Sequence, residues 1–345
     1  TGKRVVLRIK SILTTMRRYT AMPRNHFSEH QEGFVLVTVL WLLVILSVIT
    51  MGFSHRAMME RRMAWYGMDQ AQAQAMARGA VNRALLELSN KDRFASYLGH
   101  EQYDGRDQRW ARPTNLLNEA GYFSISDEEN FAEDICRYTI TDCESRITLN
   151  DAPRELLENM DVFDFNAIDA IMARRVRGDG SERLHRFVSV DEVLTIEEAN
   201  GTDEEMWFGT AEIPGLRSLL TIWGIGGDGL INVNTASREV LAMIPELDGN
   251  LLDDIVAFRA GSDEVLGTND DHSFRDLRNM WRDLGVSAEA LAPILEYCKT
   301  NSQWFKITTH ATRRRGKISA YCTVIVEMQG GDAIIKDWKE GIIGS

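Results

Sequence analysis

Between Phe34 and Ser54 the chain reads FVLVTVLWLLVILSVITMGFS, 21 residues without a charged side chain. About 20 apolar residues in a helix cross the ~30 Å hydrocarbon core of a bilayer, so this run predicts one membrane span with the rest of the chain arranged around it. A core helix of a soluble domain keeps a polar face, and this run keeps none. A cleaved secretory signal has a shorter apolar stretch closed by small residues, whereas the end here reads Ile49-Thr50-Met51-Gly52-Phe53.

The residues in front of the span are as informative. Residues 1–33 hold seven Lys or Arg against two acids, Glu29 and Glu32, so 32 basic and 49 acidic residues follow Gly33 in a chain of net charge −12. Basic residues flanking the span predict a cytoplasmic amino terminus. This leader ends in Gly33, and the apolar run starts at once with Phe34. Glycine lets a peptidase approach the backbone closely, and a cut after it would leave Phe34 as the new terminus with the span retained. Met22 would give a short leader, MPRNHFSEHQEG, and the residues before it read as an over-extended start.

Gly33-Phe34 followed by VLVTVLWLLVILS resembles a type IV prepilin signal, and Val39-Leu40-Trp41 with Ser47 resembles the version carried by K-type minor pseudopilins of the type II secretion system. The resemblance implies cleavage by prepilin peptidase between Gly33 and Phe34 and N-methylation of Phe34. It also implies a bacterial inner-membrane anchor, a periplasmic body and assembly with I- and J-type minor pseudopilins and other pseudopilins. Most pilins carry Glu at the fifth mature position; here it is Thr38. A carboxylate in hydrocarbon is expensive without a partner, and a subunit at the tip has no amine ahead of it to neutralise, so Thr38 is read as the mark of a tip subunit. The function implied is to help initiate and cap the pseudopilus that exports folded proteins. A minor pilin of a type IV pilus shares the same junction and is the alternative.

The text after the span, from HRAMMERRMAW to ALLEL, is rich in Ala, Met, Gln and Arg, which favour helix. A helix from Phe34 to Leu88 would be roughly 80 Å long, with Gly67 the place where it could divide. Its Ala- and Met-rich face from Met68 to Ala84 is expected to pack against partner helices. Gly121–Ile125 and Cys136–Cys143 alternate as strands, as do Trp304–His310, Lys317–Glu327 and Ala333–Trp338, with turns at Arg313–Gly316 and Gly330-Gly331. Between the two strand groups lies a duplication. ITLNDAPRELLENM (Ile147–Met160) and INVNTASREVLAMI (Ile231–Ile244) share I-x-[LV]-N-x-A-x-R-E-x-L at a separation of 84 residues. The echo continues with Asp169–Arg174 on Asp254–Arg259 and Phe187 on Phe274. Each Asn, Asn150 and Asn234, is read as preceding a helix start.

The expected fold is therefore α+β: a long N-terminal transmembrane helix and a pilin-like antiparallel sheet interrupted by an α-helical insertion of two related helix-hairpin-helix modules. The boundaries expected are a leader to 33, a span at 34–54, a periplasmic helix at 55–90, the first part of the sheet domain at 91–150, the insertion at 151–301 with modules at about 147–200 and 231–300, and closing strands at 302–345. Modules of this kind in DNA-binding proteins hold phosphate with Gly-rich hairpins and basic side chains. Here the hairpins read Met160–Asn166 and Ile244–Asn250, with acids where a phosphate would lie, so no nucleic acid is expected.

No catalytic constellation is legible. The seven His are scattered, no P-loop, G-x-S-x-G or H-E-x-x-H occurs, and the Gly-rich Trp223–Gly229 opens no helix, so no enzymatic activity is expected. Asp263, Glu264, Asn269, Asp270 and Asp271 bracket Gly267 with the hard oxygen donors calcium takes. Their spacing is not that of an EF-hand and a solvated acidic loop is the alternative; the resemblance to K-type pseudopilins implies that calcium is bound, without assigning the family's ligand positions to these residues. Of four cysteines, Cys136 and Cys143 would face opposite sides of one strand. Cys298 and Cys322 lie where the insertion rejoins the sheet, and spacing leaves open whether they bond.

Overall fold

The computed structural model describes residues 30–98, 103–111, 114–115, 135–160, 162–175, 186–199, 204–210, 214–224, 228–268, 270–313 and 317–344. The expected strand at Gly121–Ile125, the leader before His30, the turn residues 314–316 and Asn269 lie outside them. The chain divides into two units, Thr1–Tyr66 and Gly67–Ser345.

The described part of the first unit is helix. Helix α1, His30–Leu98, runs without a break through Gly67, where nothing approaches the missing Cβ. From Phe34 to Tyr66 every side chain is exposed, including Leu36, Leu40, Trp41 and Phe53. Its hydroxyls do not seek outside partners. Thr38 Oγ1 donates to the Val35 carbonyl at 2.9 Å, Ser47 Oγ to Leu43 at 2.7 Å and Thr50 Oγ1 to Leu46 at 2.7 Å. Satisfying polar groups within the helix is what a hydrocarbon environment demands.

In the second unit α1 changes character. Ala73, Met76, Ala77, Ala80, Val81, Ala84 and Leu88 recur every three or four residues and are buried, which is the stripe of a helix lying on a sheet. That sheet is antiparallel in the order β1 (Thr114–Asn115), β2 (Ile135–Asp142), β7 (Trp304–Arg313), β8 (Ile318–Gln329), β9 (Asp332–Gly344), with β3 to β6 outside it. Alternation decides its two faces. Tyr138, Ile140, Phe305, Ile307, Val324 and Val326 pack beneath α1, while Thr141, Lys306, Thr308 and Thr323 face the other way. Arg78 on α1 grips Glu340 on β9 through two hydrogen bonds of 2.9 and 2.6 Å, fixing the helix to the sheet edge. A bulge at Ile325/Val326 breaks the β8–β9 register.

The insertion leaves after β2 and returns at β7, and it has a core of its own. Each module opens with a two-residue strand paired parallel to the two-residue strand that closes it. β3 (Ile147–Thr148) pairs with β4 (Leu220–Thr221), and β5 (Ile231–Asn232) pairs with β6 (Cys298–Lys299). The first module therefore extends to β4, beyond the boundary near 200 read from sequence. Between the strands lie α2 (Arg154–Glu158), α3 (Phe165–Arg175), α4 (Glu204–Phe208) and α5 (Leu216–Leu219) in the first module, and α6 (Arg238–Leu241), α7 (Gly249–Ala260), α8 (Met280–Leu284) and α9 (Ala292–Tyr297) in the second. Gly229 joins the modules at φ +71°, and a Cβ there would sit 2.3 Å from the Asp151 carbonyl oxygen.

The duplication is also one of contacts. Arg154 pairs with Asp169 and Arg238 with Asp253, while Arg175 and Arg259 are both buried and donate to the carbonyls of Ala152 and Val233. The 84-residue register thus holds through both helices, and the sequence alignment of Asp169 with Asp254 was one residue out. Asn150 and Asn234 do not cap helices. Ser237 caps α6, and Pro153, which makes no side-chain cap, precedes α2.

Candidate functional site

The apolar segment of α1 is the first feature to place. Among the described residues α1 is the one helix long and apolar enough to cross a membrane. Gly33 and Phe34 lie within it, three residues after its first residue, and Phe34 is 70% exposed. Thr38, the fifth residue after the glycine, turns its hydroxyl back to the helix and presents no charge.

The surface expected to receive partner helices is corrected by the structure. Ala73, Ala77, Ala80 and Ala84 are fully or almost fully buried on the chain's own sheet. Small side chains let helix and sheet approach closely, and that approach is used internally. Large exposed side chains stand at Met58, Met59, Met63, Trp65 and Met68, a run of flexible and aromatic groups of the kind that adapts to a partner surface.

The acidic loop is knitted by its own carboxylates. Asp270 Oδ2 accepts from Ser262 N, Ser262 Oγ and Asp263 N at 2.9, 2.8 and 3.1 Å, and its Oδ1 accepts from Thr268 Oγ1 at 2.6 Å. These hydrogen bonds, led by Thr268, hold the Asp270 carboxyl well below the usual carboxylate range. Asp271 accepts from the amides of Gly267 and Thr268, and Asp263 from that of Val265. Asp270 and Asp271 thus converge on Thr268, whereas Asp263 is turned to Val265 and Glu264 is exposed at φ 58°. Of the four described donors two come together, and among the described residues no group of three His, Cys, Asp or Glu side chains is placed to hold a metal ion.

All four cysteines are free and buried. Cys298 belongs to the core of the insertion and Cys322 to the core beneath α1, so the pairing considered from sequence is not made. Cys136 packs under α1, and Cys143, in the turn that follows β2, packs against Trp304 and Ile325 on the opposite face. Burial pushes the Cys136 and Cys322 thiols up to about 11, where a thiol stays protonated and unreactive.

A buried polar knot where the insertion meets the sheet escaped the sequence reading. Asp142, the last residue of β2, accepts at Oδ2 from Asn232 Nδ2 (2.9 Å), Thr235 Oγ1 (2.6 Å) and Ser302 Oγ (2.6 Å), and at Oδ1 from Glu144 N (2.8 Å). Asp104 pairs with Lys91 on α1 and accepts from Ser302 N at 2.8 Å. Glu144 takes Lys299 at 2.8 Å and the Gln303 amide at 2.6 Å. Burial drives the Asp142 and Asp104 carboxyls up, and for Asp142 it outweighs the hydrogen bonds that favour the charged form. The signal available was a lone Asp ending a β-branched strand.

The hairpins of the two modules carry carboxylates where a phosphate would need free amides. Asp164 accepts from Ala167 N at the start of α3, and Asp248 accepts from Asn250 N and Leu251 N at the start of α7. Each helix start is closed by the chain's own anion.

No protein-family model matches the sequence, and no curated protein matches it. Among solved structures, a chain of the GspK–GspI–GspJ complex from the type II secretion system of enterotoxigenic Escherichia coli is similar at 12% identity and a TM-score of 0.46, over 83% of this chain and 98% of that one. That likeness is too slight to carry an assignment.

Proposed function

We propose that this chain is a minor pseudopilin of the K type, cut after Gly33, methylated on Phe34 and held in the bacterial inner membrane by residues 34–54 with its body in the periplasm. One observation carries the reading: α1 passes without interruption from a charge-free, wholly exposed segment into an Ala-lined stripe buried on an antiparallel sheet. That is the pilin plan, and the prepilin-like junction at Gly33-Phe34 stands at its head. The role proposed is structural. The subunit sits at the pseudopilus tip with I- and J-type partners, because Thr38 offers no carboxylate to a subunit ahead and the insertion adds bulk to the body.

Its partners cover the exposed stretch of α1. A photo-crosslinking residue at Met63, in cells that also produce I- and J-type pseudopilins, is expected to capture those two proteins. Capture of further copies of this chain, or labelling spread evenly along a pilus shaft, would overturn the tip assignment and favour a type IV pilus subunit. Calcium in the loop of Asp270 and Asp271 is a separate proposal, resting on oxygen-only donor chemistry. It expects a saturable heat on calcium titration and a raised melting temperature; neither change would remove it.

A further inference from the structure

The face of the sheet turned away from α1 carries a groove of about 540 Å³ that neither the anchor nor the insertion's packing uses. Its floor is two rows of side chains set by the cross-strand register. One runs Thr141, Lys306, Ile325, Asp337, and the other runs Thr308, Thr323, Lys339. The first module forms the wall, with Val188 and Phe208 exposed at 78% and 59%. Arg146 stands where this groove meets a neighbouring cleft of about 370 Å³, to which Arg106 and Glu239 add one charge of each sign.

The charges of the main groove do not cancel. Asp191 is held by Arg217 at 2.7 and 3.0 Å, Asp337 by Lys339 at 3.0 Å, and Asp142 is buried among its hydroxyl and amide donors. Arg146 and Lys306 are exposed and make no hydrogen bond or ion pair among the described residues. In a chain with net charge −12, two such cations beside exposed apolar side chains form a surface complementary to an anion with an apolar component. The floor crosses four strands at ~4.8 Å spacing, about 14 Å, which accommodates four or five residues of extended chain.

We propose that this groove binds an extended acidic segment of another protein, with carboxylates on Arg146 and Lys306 and an apolar side chain against Val188 and Phe208. This goes beyond the pseudopilin reading and does not depend on it. The test uses the full chain in detergent micelles and a fluorescein-labelled decapeptide of alternating Glu and Phe, followed by anisotropy. Saturable binding that weakens with salt is expected, with about a tenfold loss in the double variant Arg146→Glu/Lys306→Glu, since charge-assisted contacts carry it. Arg282→Glu, exposed on α8 outside the groove, should bind as the parent does. If charge reversal disturbs the fold, as judged by circular dichroism, Arg146→Gln/Lys306→Gln makes the same comparison. Absent binding, binding indifferent to these substitutions, or equal competition by a single-stranded oligonucleotide would overturn the proposal.

Discussion

Asn150 and Asn234 show how much of a module can hang on one side chain. Asn150 Oδ1 accepts from Phe187 N at 2.8 Å while its Nδ2 donates to the carbonyls of Phe187 (3.2 Å) and Ile222 (2.7 Å). Asn234 does the same with Phe274 N (2.8 Å) and the carbonyls of Phe274 (2.9 Å) and Thr300 (3.4 Å). Each ties its module's opening strand to a distant segment and to the closing strand. Truncation to Ala strands buried backbone groups at about 1–3 kcal/mol each. Urea unfolding of Asn150→Ala and of Asn234→Ala should therefore each show a loss of about 2–4 kcal/mol. Asp142 makes a prediction of opposite character. Its carboxyl is raised by burial in the folded state, with Asp104, Glu144 and Arg106 close to it, so the native chain binds its proton more tightly than the unfolded chain does. Stability then falls as pH rises from the ordinary aspartate range, about 4, through the elevated folded value. The urea midpoint should be higher at pH 5 than at pH 7.5, and Asp142→Asn should flatten that slope while lowering the midpoint at both.

At the scale of elements, the same helix that reads as one pattern has two jobs, and only one was legible. Charge-free composition marked the exposed apolar segment because a helix packed inside a soluble domain keeps a polar face. The Ala-rich half was legible as helix, but not which neighbour its small residues admit, because a close approach to a sheet and one to a second helix leave the same sequence mark. The structure assigns it to the sheet, so Ala80→Leu, at a position with no exposure, should cost about 1–3 kcal/mol through overpacking. Ala75→Leu, on the exposed side, should stay within about 0.5 kcal/mol of the parent when both variants are followed by urea unfolding. The duplicated motifs were readable where a side chain has one irreplaceable task, as Asn150 and Asn234 have. The register slipped at Asp253-Asp254, where two adjacent acids offered two alignments, and the ion pair to Arg238 with the buried Arg175 and Arg259 decides between them. The end of the first module was illegible because β4, two residues long, has no periodicity to read. The cysteines were half legible: Cys136 and Cys143 lie on opposite faces as expected, though β2 ends one residue before Cys143, and no local pattern tells which of two cores will enclose Cys298 and Cys322.

For the whole molecule, the reading joins a leader of opposite charge balance, a helix that leaves lipid-length apolar surface uncovered, and a body whose insertion returns the chain to the sheet it left. Where the insertion meets the sheet its Asn232 and Ser302 bond to each other and to Asp142 of β2, and the helix starts of its hairpins are closed by Asp164 and Asp248. The proposed function turns on the junction at Gly33: a cut there would remove the basic leader and keep the apolar segment, whereas a cut after the apolar run would release the body. The amino terminus of the protein recovered from membranes of cells that contain prepilin peptidase measures this directly. The account predicts a chain that begins with N-methylated Phe34, and an unprocessed chain when Gly33→Val is introduced. A terminus at or after Ser54 would contradict it.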